Sequence, residues 1–175
     1  MKTILTSLAA ASFLCAGAFA QQVQIPTVQA CNIGNAQGTA NVYLGKRDDI
    51  NTAGTIDITV SDVGCDPVSG DGHPTGHITM RFSLTESTIS DMEVTLIEQM
   101  TTTGKHTTTT YMNGRCKANG GTVPCHFWLT LTDNKYANLA GTPDIVGVLV
   151  LDKKGNPLTY GTGPVKTGDI SVTQY

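Results

Sequence analysis

The chain has 175 residues, of which 14% are charged, 39% hydrophobic and 6% aromatic, with a formal net charge of -3. That length fits one domain, the low charge excludes a coiled coil or a solvated disordered tail, and without a basic run there is no electrostatic footprint for nucleic acid. The 27 threonines, like Val and Ile, are stiff at χ1 and favour strands over helices.

Met1-Lys2 carries one positive charge, an apolar stretch runs from about Leu8 to Gly17, and Ala18-Phe19-Ala20 supplies the small-x-small pattern of a signal-peptidase site. Residues 1–20 therefore read as a secretory leader and Gln21 as the mature start. The apolar run is shorter than the ~20 residues that a spanning helix needs, and no later stretch is longer, so no membrane span is expected after cleavage. The expected location is periplasmic, cell-surface or extracellular.

Residues 21–30 form a strand-like arm in which Val23 and Ile25 alternate with Gln, Pro26 interrupts and Val28 follows. The single domain expected over residues 31–175 starts behind it. A short strand is predicted over 40–45, and clean alternation marks another over 55–63, with Ile56, Ile58 and Val60 on one face. A loop rich in Gly, Pro and Asp covers 66–76, then Ile78, Met80, Phe82 and Leu84 resume the period of two. Strands follow over 91–100 and 106–112, separated by a turn through Gly104. Asn113-Gly114 reads as a tight hairpin turn. Phe127, Leu129 and Leu131 define one face of the next strand, with Trp128 opposite. The run over 145–151 is nearly continuous and predicts a central strand buried on both faces, and two short strands over 158–161 and 169–175 end the chain. The only segment with room for a helix is 134–139, one turn at most. About eight or nine short antiparallel strands at this spacing predict an all-β fold, a sandwich or barrel, and the immunoglobulin-like β-sandwich is the form expected.

Behind the leader lie Cys31, Cys65, Cys116 and Cys125, an even count that in an exported chain reads as two disulfides. Three pairings are possible; proximity favours Cys31–Cys65 and Cys116–Cys125, the second enclosing a turn-rich segment suited to a cross-linked hairpin. Neither pair has the Cys-x2-4-Cys spacing of structural zinc sites.

His73 and His77, with Asp66 nearby, could supply metal ligands, but a four-residue spacing puts two ligands on one face only in a helix, which Pro74 and Gly76 forbid. No metal or other cofactor is expected. No Gly-x-Ser-x-Gly motif is present, and nothing local ties His106 or His126 to a nucleophile, so the chain does not read as an enzyme. Thr101 to Thr103 and Thr107 to Thr110 read as an exposed edge hairpin.

The arm running into Cys31, the strand Val42-Tyr43-Leu44-Gly45, the segment from Gly54 to Val60 followed by Cys65, and the closing residues 167–175 together resemble the spore coat protein U family and the related pilins of archaic chaperone–usher pili. The resemblance covers residues 21–65 and the last nine; Cys116 and Cys125 are additional to the pattern. It implies an incomplete immunoglobulin-like domain, a bridge between the first two cysteines, an export chaperone as partner, and identical or related subunits joined by strand exchange. Val23, Ile25 and Val28 would then insert into a neighbour, and residues 170–175 would line the receiving groove. On this basis the expected function is a secreted or surface structural subunit, a pilus or fibre protein assembled by β-strand addition. The alternative is a self-contained secreted β-sandwich that binds a protein, glycan or small ligand through its loops, with 66–76 and 117–123 as the candidates.

Overall fold

Alternation of apolar and polar residues runs through most of the chain, and each strand turns its apolar set to one common interior. A computed structural model describes residues 34–46, 49–65, 73–104, 107–134 and 141–174. They form eight strands: β1 (Gly34–Lys46), β2 (Asp49–Cys65), β3 (Pro74–Ser83), β4 (Asp91–Thr103), β5 (Thr108–Ala118), β6 (Val123–Asp133), β7 (Ile145–Asp152) and β8 (Pro157–Gln174). The leader, the arm and the segment 134–139 lie outside these residues, apart from Asn134.

The all-β expectation holds, but the immunoglobulin-like sandwich does not. Each strand pairs antiparallel with the next, and β1 pairs with β2 on one edge and with β8 on the other. The order β1-β2-β3-β4-β5-β6-β7-β8 thus closes into a single barrel. The closing ladder joins the two ends of the described chain, with Ala36 opposite Val172 and Ala40 opposite Gly168. Strand alternation is the same in a sandwich and in a barrel, so the pattern alone did not distinguish them.

The interior is filled by side chains. Val42, Ile56, Ile58, Ile78, Phe127, Leu131 and Val150 are among those with no accessible surface. Ile89, in the β3–β4 connection, plugs one end of the barrel; the Ser87 hydroxyl donates to its carbonyl at 2.6 Å. Among the described residues no helix is long and apolar enough to cross a membrane. The interior is apolar, and the outer face of β2–β4 carries Asp57, Arg81, Asp91 and Glu93.

Several local expectations are corrected. Asn113-Gly114 is not a turn but lies inside β5, opposite two irregularities of β4 at Val94/Leu96 and Ile97/Gln99. A Cβ on Gly114 would collide with the Leu96 carbonyl oxygen, so the glycine permits a bulge. The run in β7 is buried on one face only, with Val146, Val148 and Val150 inward and Ile145 outward. The two C-terminal strands are one long strand, and Gly163 lets it cross close to β1, where a side chain would strike the Tyr43 carbonyl. The threonine hairpin is not simply an exposed edge. Thr102 and Thr110 are fully buried, and the Thr102 hydroxyl donates to Thr110 Oγ1 at 3.1 Å.

Candidate functional site

Three regions of the barrel carry polar or aromatic groups beyond what packing requires. The first is the end where β6 stops and β7 begins. There β8 runs on past β7, and the ladder between them ends at Ile145–Pro164. The backbone N–H groups of Ile170 and Val172 donate instead to carboxylates, to Asp144 Oδ2 at 3.2 Å and Asp133 Oδ2 at 3.1 Å. Asp144 also accepts from the Asn134 N–H at 2.9 Å, and its own carbonyl accepts from Val165 at 2.8 Å. Both carboxylates are buried. They take the place of the missing strand partner at Ile170 and Val172, two of the residues that the sequence reading gave to the receiving groove.

The second region is the outer face of β1–β4, a shallow concavity of about 1090 Å³. A row of opposed residues crosses it: Asn41, Asp57, Arg81 and Asp91. The Asn41 amide donates to Asp57 Oδ1 at 2.7 Å. Hydrogen bonds from the Ser90 hydroxyl and the Gly120 N–H, helped by the charge of Arg81 and opposed by partial desolvation, hold the Asp91 carboxyl below its ordinary value of 3.8. At the β7–β8 turn the Asn156 side chain, then the backbone N–H groups of Asn156 and Lys154, lower Asp152 in the same way. A carboxyl depressed on folding adds stability above its unfolded pKa and loses it as pH falls through the folded one. These two groups are therefore expected to contribute fully, and without change, to the midpoint of thermal unfolding between pH 7 and 5, and to lose that contribution as pH falls below the ordinary value of 3.8. Calorimetry across that range checks this, with Asp152→Asn expected to flatten the acid limb.

The third region is the outer face of β5–β8. Trp128 stands opposite Leu149, and Leu149 opposite Tyr160, on successive strands. Tyr111 lies one row along, opposite Thr130. Tyr111, Trp128 and Tyr160 are 54%, 45% and 45% exposed. Exposed rings of this size, aligned across a sheet, exceed the scattered apolar residues usual on a surface.

The residues singled out in the sequence are distributed as follows. Cys116 and Cys125 are directly opposed on β5 and β6 and form a buried disulfide with Cα atoms 4.9 Å apart. Cys65 is also disulfide-bonded, and Cys31, its expected partner, lies outside the described residues. Val23, Ile25, Val28, Asp66 and His106 lie outside them too. His73 and His77 are exposed, and His77 Nε2 sits 3.4 Å from Glu93 Oε1 rather than in a ligand set. Among the described residues no group of three His, Cys, Asp or Glu could hold a metal ion. His126 faces outward on β6 at the border of the aromatic region.

The sequence reading missed the aromatic face and the carboxylate pair. The signal for the first was Trp128, out of phase with Phe127 and Leu129, but its neighbours come from other strands and appear only with the register. Asp133 and Asp144 gave no signal, because an acidic residue at a strand end usually faces water. Comparison with protein-family models, with curated proteins and with solved structures returned no match.

Proposed function

We propose that the chain is a self-contained, disulfide-stapled extracellular binding module that meets its partner with the outer face of β5–β8. The observation that carries this reading is the exposed row of Trp128, Leu149 and Tyr160 with Tyr111 beside it, on a barrel whose interior is already filled. A packed interior leaves no room for a ligand inside, so binding falls to the surface. The Cys116–Cys125 disulfide is compatible with an oxidising compartment outside the cytosol.

A second reading, a structural subunit joined to its neighbours by strand addition, is favoured by a different feature. β3 and β4 are in register only at Thr79–Glu93, Met80–Met92 and Arg81–Asp91. The two irregularities of β4 lie just beyond that point, and irregularities of this kind bend a strand and increase its twist. The arm of a second copy, with Val23, Ile25 and Val28, would add to the β4 edge left there.

Sedimentation of the mature chain, with and without residues 21–30, separates the two. The binding-module reading expects a monomer that keeps its cooperative unfolding after the deletion. Concentration-dependent polymers that vanish when the arm is removed would overturn it and establish strand addition.

A further inference from the structure

Three adjacent rows of the outer face carry no charged residue at all. They run from Gln99 to Tyr160, from Thr101 to Thr162 and from Thr103 to Pro164, across β4 to β8. The opposite face of the barrel, by contrast, bears Asp57, Arg81, Asp91 and Glu93. Within the uncharged rows the polar groups are hydroxyls and amides. The Asn113 amide donates to Gln99 Oε1 at 3.0 Å, which leaves Asn113 Oδ1 and Gln99 Nε2 without a partner among the described residues.

Gly147 lies in the middle of these rows, between Thr130 and Thr162 and next along the strand to Leu149. Glycine weakens a strand, and it is normally kept for a positive φ or a close backbone approach. Neither applies here. The Gly147 φ is not positive, and a Cβ would meet only the side chains of Thr130 and Thr162 at 3.4 Å or more, which is ordinary contact. The missing side chain leaves a notch beside Trp128 and Leu149 that packing does not demand.

We infer that this face is a binding site for a neutral, extended β-linked glycan chain. The inference rests on the binding-module reading above and names its ligand. A pyranose ring with mostly equatorial hydroxyls offers apolar C–H faces for stacking on aromatic rings and a rim of hydroxyls for amides and threonines. An uncharged surface of rings and hydrogen-bonding groups matches that pattern and gives nothing to a polyanion. Trp128 and Tyr160 stand two strands apart, about 10 Å at the usual strand spacing, so they suit alternate rings of an extended chain better than one compact ligand. The Gly147 notch, one row along from Leu149, admits the edge of a ring beside that line.

Trp128 is the only tryptophan in the chain, so its fluorescence reports this face directly. Mature protein titrated with cellohexaose and with chitohexaose is expected to show a saturable change in emission with at least one of them. Trp128→Ala, followed by calorimetry, is expected to weaken binding at least tenfold. Gly147→Val should abolish binding while leaving the unfolding midpoint equal or higher, and so separates a blocked site from a damaged fold. Three results would overturn the inference: no response to either oligosaccharide, binding unchanged in both variants, or a preference for a polyanionic glycan lost with added salt. A monomer that is stable without residues 21–30 but silent to both oligosaccharides would sink the glycan inference alone. Polymerisation through the arm would sink the binding-module reading.

Discussion

Asp144→Ala is expected to cost the barrel on the order of 4 kcal/mol. The Asp144 carboxylate accepts from the backbone N–H groups of Asn134 and Ile170, where β8 has outrun β7. Both bonds are buried, so the truncation leaves two donors without a partner, at about 1–3 kcal/mol each. A domain of this size has about 5–15 kcal/mol of stability in all, so the variant should unfold at markedly lower denaturant. Asp144→Asn keeps one carbonyl oxygen and turns an N–H₂ toward the second donor, so its loss should be smaller but clear. Urea unfolding gives the magnitude, and hydrogen exchange gives the location: the Ile170 amide should exchange faster in Asp144→Ala while those of β2 stay protected to the global limit. A loss below ~1 kcal/mol would mean that the carboxylate does not hold this edge.

Replacing Cys116 and Cys125 together by Ala should remove about 3 kcal/mol. The bridge closes a loop with a sequence separation of 9, for which the chain-entropy relation gives a value of that size. Both sulfurs also lie in the interior, so packing is lost in addition. The fold itself should survive, because the β5–β6 ladder continues well away from the bridge, from Thr108–Asp133 to Ala118–Val123. The signature is a lower urea midpoint with an unaltered m-value or a slightly larger one, since the unfolded chain is less compact without the bridge. A variant as stable as the parent would show that the hairpin alone restrains the unfolded chain as much as the bridge does.

What was legible in the sequence follows from what acts locally. β2 shows itself because Ile56, Ile58 and Val60 alternate with polar residues, and in the fold all three face inward. The Cys116–Cys125 hairpin is legible because the segment between the cysteines is rich in turn-forming residues, and the turn indeed falls at Asn119 to Thr122. Asn113-Gly114 misleads because the same dipeptide serves a hairpin or a bulge, and only the Leu96 carbonyl on the neighbouring strand decides between them. Closure of the barrel is not legible at all. It depends on β1 meeting β8, residues more than a hundred positions apart whose alternation would suit a sandwich equally well. The aromatic face is half legible. Trp128 shows that its strand has an unusual outer side, but the line from Trp128 through Leu149 to Tyr160 exists only across three strands.

The proposed function rests on a barrel that is complete in itself, and its closing ladder is the most direct place to test that. Backbone NOEs in the labelled mature chain should connect Ala36 with Val172 and Ala40 with Gly168. The ladder amides on both strands should be protected from exchange in a dilute monomer. Contacts of this kind would place β1 and β8 side by side within one molecule. Fast exchange along β1 without any β1–β8 NOE, or NOEs that appear only between differently labelled molecules, would contradict the account.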